Sequence, residues 1–275
     1  VSIQKNLIVI HDLNSEQFSS SKKFLLENTD YQDIILKKFE GYKTINALNP
    51  STDHLVCLHL DLNREVNIHH RISLLANENN ICMLNPYDAL SEIMDKKNLF
   101  ISLMQANDIK VPKTIFIDQH RKFGTFEQLD RVIASLKYQP ACIIIKPNAG
   151  TENYDIASFD LGNDNSQAIL DHVNRIQSYD DVLVQQFIAF DMEYKILFLN
   201  NVIYSSERLN DRLIKLTLSI VHILKSKVNG SLDNRIFSLD LLIKNDLYYI
   251  LEANTRPAGI FRQAKHSYDL NFALT

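Results

Sequence analysis

Three features predict a mixed α/β chain of more than one lobe. Strand-sized runs of β-branched and other apolar residues alternate with helix-length amphipathic segments. Two pairs of such runs are separated by Asn200-Asn201 and Asn245-Asp246, turn dipeptides that read as antiparallel hairpins. The chain has 275 residues, 45% hydrophobic and 23% charged, enough for two or three lobes with cores of their own.

The first third alternates in the manner of a parallel sheet. NLIVI (6–10) is a buried strand, and SEQFSSSKKFLLEN (15–28) is a helix opened by a serine cap. DIILKKF (33–39) and HLVCLHL (54–60) are strands, residues 63–79 form a helix, and ICML (81–84) is a further strand. Residues 85–108 are helical, with Asp95 capping the second half, and a strand follows Pro112. Residues 125–138 form an amphipathic helix before the strand ACIIIKP (141–147), whose hairpin partner is 156–159. A helix over 166–179 and a strand over 181–188 lead into the two Asn-centred hairpins, separated by an apolar helix over 213–227.

Composition removes several classes of function. A net charge of −4 without a basic run gives no electrostatic footprint for nucleic acid. Apolar runs are strand-sized, so no membrane span is expected, and the apolar core of the first twelve residues is too short for a signal peptide. Cys57, Cys82 and Cys142 lie in strand-like runs at no metal-ligand spacing, and read as buried free thiols of a cytoplasmic protein. Adjacent His69 and His70 have no acids or cysteines at ligand spacing and read as helix surface and core.

Chemistry concentrates at two strand ends. IIIKP ends a buried strand with Lys146, beside a turn, but no Walker loop is present. The last hairpin ends LEANTRPAG, in which Glu252 and Asn254, two apart on a strand, share a face. Its partner strand carries Asp240 among apolar residues, a costly position unless the carboxylate is paired, metal-bound or protonated. Oxygen donors of this kind suit a hard divalent cation completed by phosphate oxygens.

These residues, in this order, resemble a known superfamily. The pattern D…LEAN-x-x-P-x-G is similar to the metal-binding end of the ATP-grasp proteins, and its wording is close to that of the D-alanine–D-alanine ligases and glutathione synthetase-like enzymes. MDKKNL, IIIKP and VLVQQFI followed by EYKI resemble the earlier motifs, collinear from about residue 87 to 259. The resemblance implies an ATP-grasp fold behind an N-terminal Rossmann-like lobe, with lobes at 1–90, 91–183 and 184–275. It implies that Lys96 and Lys146 contact ATP, and that the turn 148–155, with Asn148, Gly150 and Thr151, folds over the phosphates. Gln185 would accept from the adenine amine, Gln186 and Ile188 would offer backbone groups, and Glu193 would hold the ribose. Asp240, Glu252 and Asn254 would bind one or two Mg²⁺ ions. Arg256 would hold a substrate carboxylate, with Arg208 and Arg212 as candidates for phosphate contact.

The chain departs from the pattern in three places. The phosphate turn is poor in glycine, keeping Gly150 with Asn153 and Asp155 near the usual positions, and Asp155 brings negative charge toward phosphate. Gln185 stands where the hinge often carries Glu. Between the first hairpin and the next helix the usual long loop is replaced by SSERLNDR. The expected activity is ADP-forming ligation of a small carboxylate to an amine through an acyl phosphate, on an amino acid or short peptide. Oligomeric state is left open, a homodimer being compatible. One rival is a small-molecule kinase of the inositol-phosphate type, with Arg64, His69, His70 and Arg71 around a polyanion. The other is a non-catalytic nucleotide-binding relative.

Overall fold

The computed structural model describes residues 5–11, 15–37, 40, 42–58, 62–87, 93, 95–104, 109–136, 142–148, 155–161, 165–200, 202–225, 235–257 and 259–269. The strands, in chain order, are β1 Asn6–His11, β2 Asp33–Lys37, β3 Asp53–Leu58, β4 Cys82–Met83, β5 Thr114–Ile117, β6 Cys142–Pro147 and β7 Ala157–Asp160. They continue as β8 Val182–Gln186, β9 Met192–Leu199, β10 Val202–Ser205, β11 Ile236–Lys244, β12 Leu247–Asn254 and β13 His266–Asp269. The helices are α1 Ser15–Asn28, α2 Tyr42–Asn46, α3 Leu62–Glu78, α4 Lys96–Leu103, α5 Phe126–Ile133, α6 Ser166–Ile176 and α7 Asp211–Lys225. Among the described residues three sheets form, with strand orders β2-β1-β3-β4, β5-β8-β6-β7 and β12-β11-β9-β10-β13. The chain divides into two compact units, residues 1–94, 194–240 and 253–275 in the first and 95–193 and 241–252 in the second.

In the first unit β1 pairs in parallel with β2 and β3, and β3 with β4. Both faces of this sheet are covered, as parallel sheets require. Ile8 and Ile10 of β1, with Leu55 and Cys57 of β3, pack with Ile72, Leu75 and Ala76 of α3. Their neighbours Leu7, Val9, Val56 and Leu58 enter a second core with Phe24 and Leu25 of α1 and Leu197, Ile236 and Phe261. The period-two alternation thus feeds two cores from each strand. β10 pairs antiparallel with β9 and with β13. The Asn200 turn joining β9 to β10 holds Asn200 at φ 50°, the left-handed region that Asn tolerates.

In the second unit β8 lies between β5 and β6, and β7 closes the edge, all antiparallel. The helices α5 and α6 bury Leu129, Ile133, Ile169, Leu170, Val173 and Ile176 against Ile143, Ile145, Val182 and Val184 of the sheet. At the turn between β11 and β12, Asn245 and Asp246 take φ 48° and 59°, and Asn245 N–H donates to Asp191 Oδ2 at 2.9 Å.

The expected elements hold with four amendments. The helix expected over 85–108 breaks at Asp95, where α4 starts, and residues 88–92, 94 and 105–108 lie outside the described part. The helix expected over 125–138 ends at Ile133 and tightens into a 3₁₀ turn over Ala134–Leu136. α2 and β13 were not expected. Cys57 is buried, but Cys82 is exposed and Cys142 half-buried, because β4 is a two-residue edge strand that turns Met83 inward and Cys82 outward. All three thiols are free. Among the described residues no helix is long and apolar enough to cross a membrane.

Candidate functional site

The second unit gathers the two candidate lysines. β6 is apolar until Lys146, which lies opposite Leu183 of β8 and is only 5% exposed. It is therefore no exposed strand-end lysine. Its ammonium stands 6.0 Å from the ring centroid of Phe100 on α4, at the outer limit of a cation–π contact. Lys96 opens α4, whose N-cap is Asp95, with its side chain accepting from Asn98 N–H at 2.9 Å. The Lys96 ammonium, also buried, lies 3.2 Å from the Asn148 carbonyl and 3.7 Å from Glu252 Oε2. Asn148 is fixed from three sides, since its side-chain oxygen accepts from Lys97 N–H at 3.0 Å and its own N–H donates to Asp181 at 2.9 Å. Lys96, Asn148 and Glu252 thus meet. Gly150, Thr151 and Asn153 lie outside the described residues, as does the side chain of Ser15.

At the hinge, Gln185 is buried and donates from Nε2 to Thr114 Oγ1 at 3.0 Å. Thr114 spends its hydroxyl hydrogen on the Pro112 carbonyl at 2.8 Å, so its oxygen must accept. That pins the amide nitrogen of Gln185 to β5 and turns its oxygen to the other side, the orientation an acceptor of an amine needs. Gln186 gives its backbone N–H to the Lys113 carbonyl at 2.8 Å, which restricts what it can offer a ligand to its carbonyl. Ile188 is buried and Glu193 is exposed.

Asp155 is placed differently from expectation. Its φ is 54° and its carboxylate faces Arg175 and Tyr179, with Arg175 Nη2 at 2.7 Å from Oδ1 and the Tyr179 hydroxyl at 2.6 Å from Oδ2. The negative charge expected to oppose phosphate is paired by a guanidinium.

The first unit carries the remaining acids and arginines. Asp240 of β11 is 8% exposed between fully buried Leu239 and Leu241, and Lys195 Nζ of β9 lies 3.0 Å from its Oδ2. Lys195 went unremarked in the sequence. Glu193 and Lys195 alternate with Tyr194 and Ile196, a period that puts both charges on one face of β9. Beyond β12, Thr255, Arg256 and Pro257 are buried. Asn85 holds this segment, donating to the Thr255 carbonyl at 2.8 Å while exchanging two hydrogen bonds with the Cys57 backbone. The Asn85 carbonyl in turn accepts from His69 Nε2 at 2.7 Å. His69 is fully buried, and burial, with the Arg256 charge nearby, lowers its pKa to about 4. It is therefore neutral, and its buried Nδ1 has no hydrogen-bond partner among the described residues. Burial likewise pushes the Cys57 thiol up to about 12. The ring of His70 packs on Tyr87 at 4.9 Å. Arg208 and Arg212 are exposed beside the start of α7, where Asn210 Oδ1 caps Leu213 N–H at 2.8 Å.

Asp240 and Asn254 in the first unit and Glu252 in the second carry oxygen donors of the kind Mg²⁺ takes, and the two carboxylates face the ammonium groups of Lys195 and Lys96. The described residues include no group of three or more His, Cys, Asp or Glu placed for a metal ion.

No protein-family profile and no curated protein sequence matches the chain. Solved structures do. The D-alanine–D-alanine ligase of Bacillus anthracis complexed with ATP is 14% identical, with a TM-score of 0.63 over 93% of this chain and 86% of that one. D-Cycloserine synthetase is 11% identical, with a TM-score of 0.72 over 98% and 97%. A RimK-domain ATP-grasp protein of Sphaerobacter thermophilus is 17% identical, with a TM-score of 0.61 over 92% of each. The chain has the ATP-grasp fold.

Proposed function

We propose that this ATP-grasp chain is an ATP-dependent, ADP-forming carboxylate–amine ligase, acting in the cytoplasm on an amino acid or short peptide. The observation that carries the reading is the junction of Lys96, Asn148 and Glu252 in the second unit, with Lys146 buried beside the same helix. Two buried ammonium groups in one unit supply the positive charge that a nucleotide's phosphates require. The fold adds support, since its solved neighbours include a ligase complexed with ATP.

On this reading the lobes are 1–90, 91–183 and 184–275. Lys96 and Lys146 neutralise the phosphates, Gln185 accepts from the adenine amine, and Glu193 holds the ribose. Asp240, Glu252 and Asn254 would hold Mg²⁺, which would supply charge neutralisation on the transferred phosphoryl group. The γ-phosphoryl passes to a carboxylate oxygen of the acid, releasing ADP. The amine nitrogen then attacks the acyl carbon, the amide forms and inorganic phosphate leaves. Arg256 positions the substrate carboxylate, in a segment that Asn85 fixes. The kinase reading is weakened by His69, which is buried and donates to a backbone carbonyl in place of facing a polyanion.

The test is calorimetric titration of a non-hydrolysable ATP analogue with and without Mg²⁺, followed by turnover with pooled acids and hydroxylamine. Metal-dependent binding and an acyl hydroxamate are expected. No binding to folded protein would overturn the reading, and a stable phosphorylated product without hydroxamate would replace it with a kinase.

A further inference from the structure

Two buried polar atoms of the first unit lack a partner, and one asparagine stands behind both. Asn85 is fully buried, and its side chain is pinned by two hydrogen bonds exchanged with the Cys57 backbone. Its backbone carbonyl accepts from His69 Nε2 at 2.7 Å, and its side-chain amide donates to the Thr255 carbonyl at 2.8 Å. A carbonyl can only accept, so Nε2 carries the hydrogen of this neutral ring and Nδ1 is left as a bare acceptor. His69 is 0% exposed and Thr255 2%. Among the described residues neither Nδ1 nor the Thr255 hydroxyl oxygen has a hydrogen-bond partner. Leaving such a group buried and unmet costs free energy, and folded chains seldom do so twice in one network. Arg256 follows Thr255, and its charge acts on both the His69 ring and the Cys57 thiol. A bare acceptor, a hydroxyl and a guanidinium are thus gathered around one buried network.

We infer that His69 Nδ1 and the Thr255 hydroxyl form a subsite for an N–H or O–H donor carried beside the carboxylate of the acid substrate, as an amino acid carries its ammonium. The inference rests on the ligase reading above, in which Arg256 takes that carboxylate. Charge divides the work between them. A guanidinium attracts a carboxylate and repels an ammonium, whereas a neutral imidazole nitrogen accepts from an ammonium without opposing it. Asn85 fixes the tautomer, so the ring presents an acceptor and not a second donor. An acid without the donor would leave Nδ1 and the hydroxyl as bare as they are in the free chain. A site built to receive a donor discriminates by that difference.

The experiment gives the parent chain ATP, Mg²⁺ and hydroxylamine with three pools of matched carbon skeleton: α-amino acids, 2-hydroxy acids and unsubstituted acids. Initial rates of hydroxamate formation at low, equal concentration should be at least about tenfold higher for the amino acids than for the unsubstituted acids. The 2-hydroxy pool tells whether O–H serves as well as N–H. Thr255→Val deletes a hydroxyl that has no partner in the free chain, so its Tm should match or exceed the parent's while the preference falls about threefold or more. His69→Gln, which keeps a donor and an acceptor, should retain most of the preference, and His69→Phe should abolish it. In the parent chain labelled with ¹⁵N-histidine, the Nδ1 resonance should move on addition of the amino-acid pool and stay in place with the unsubstituted pool. This last readout stands whether or not His69→Phe folds. Equal rates for amino and unsubstituted acids would overturn the subsite. So would a preference untouched by Thr255→Val and His69→Phe, or an Nδ1 resonance that already reports a hydrogen bond, to a buried water, in the free chain. No hydroxamate from any pool would instead overturn the ligase reading itself.

Discussion

Lys146 shows how far one residue's chemistry can be read from its neighbours. An apolar run ending in Lys-Pro marks a strand end, and the structure buries the ammonium there beside Phe100. Lys146→Ala should weaken the ATP analogue by about tenfold to a hundredfold, the range for hydrogen bonds to a charged group. Unaltered affinity in the calorimeter would leave this lysine a packing residue. Asp240→Asn should cut Mg²⁺-dependent turnover by more than the roughly 10–100-fold typical of outer-shell changes at metal sites, with far-UV dichroism unchanged. His69 was legible only as a residue without metal partners, because its role depends on Asn85, sixteen positions away. With a folded pKa of about 4 against an ordinary 6.5, the unfolded chain binds a proton that the folded chain refuses as pH falls from 6.5 to 4. Stability should be complete above 6.5 and fall by about 3 kcal/mol across that window. His69→Gln keeps a donor near Nε2 and cannot titrate, so its urea midpoint should lose that part of the slope. Parallel slopes in parent and variant would remove His69 from the account.

At the scale of elements, what was readable had local causes. β1, α1, β6, β11 and β12 follow from apolar period and from turn dipeptides, and Asp95 was visible as a cap because Asp is a preferred N-cap residue whose carboxylate accepts from a backbone N–H of the first turn. What was missed has distant causes. β13 exists because β10 needs a second partner, a pairing between residues more than sixty apart. The ion pair on Asp155 requires α6 to present Arg175 twenty residues later, which no spacing rule announces. Lys195 was readable in principle, from the alternation of Glu193 and Lys195, but its partner Asp240 lies on another strand. The cap of α4 carries a prediction at this scale. Asp95→Ala removes the acceptor for Asn98 N–H, so it should cost about 1 kcal/mol of stability. The capped turn also begins with Lys96, so the ATP analogue should bind more weakly. A stability loss with unchanged affinity would mean that the ammonium is held by Asn148 and Glu252 alone.

For the whole molecule, the fold was readable from the order of five short motifs while no sequence profile registers it, because each motif marks a strand or helix end where chemistry constrains residue type. The long stretches between them need only be apolar at the right period, and the chain is only 11–17% identical to solved structures of the same fold. A ligand that engages several of those ends at once should then stabilise the chain as a whole. At a hundred times its dissociation constant, the Mg²⁺–ATP analogue contributes about 2.7 kcal/mol to the native state. For a chain of this size that is a rise of roughly 5 °C in Tm. The rise should shrink when Mg²⁺ is withheld, and Asp240→Asn should erase the metal-dependent part while keeping whatever the analogue gives alone. Differential scanning fluorimetry on parent and variant, with analogue, metal and both, separates the cases. If the increment from metal survives in Asp240→Asn, the ion is bound elsewhere, and the acid between Leu239 and Leu241 serves only to hold Lys195.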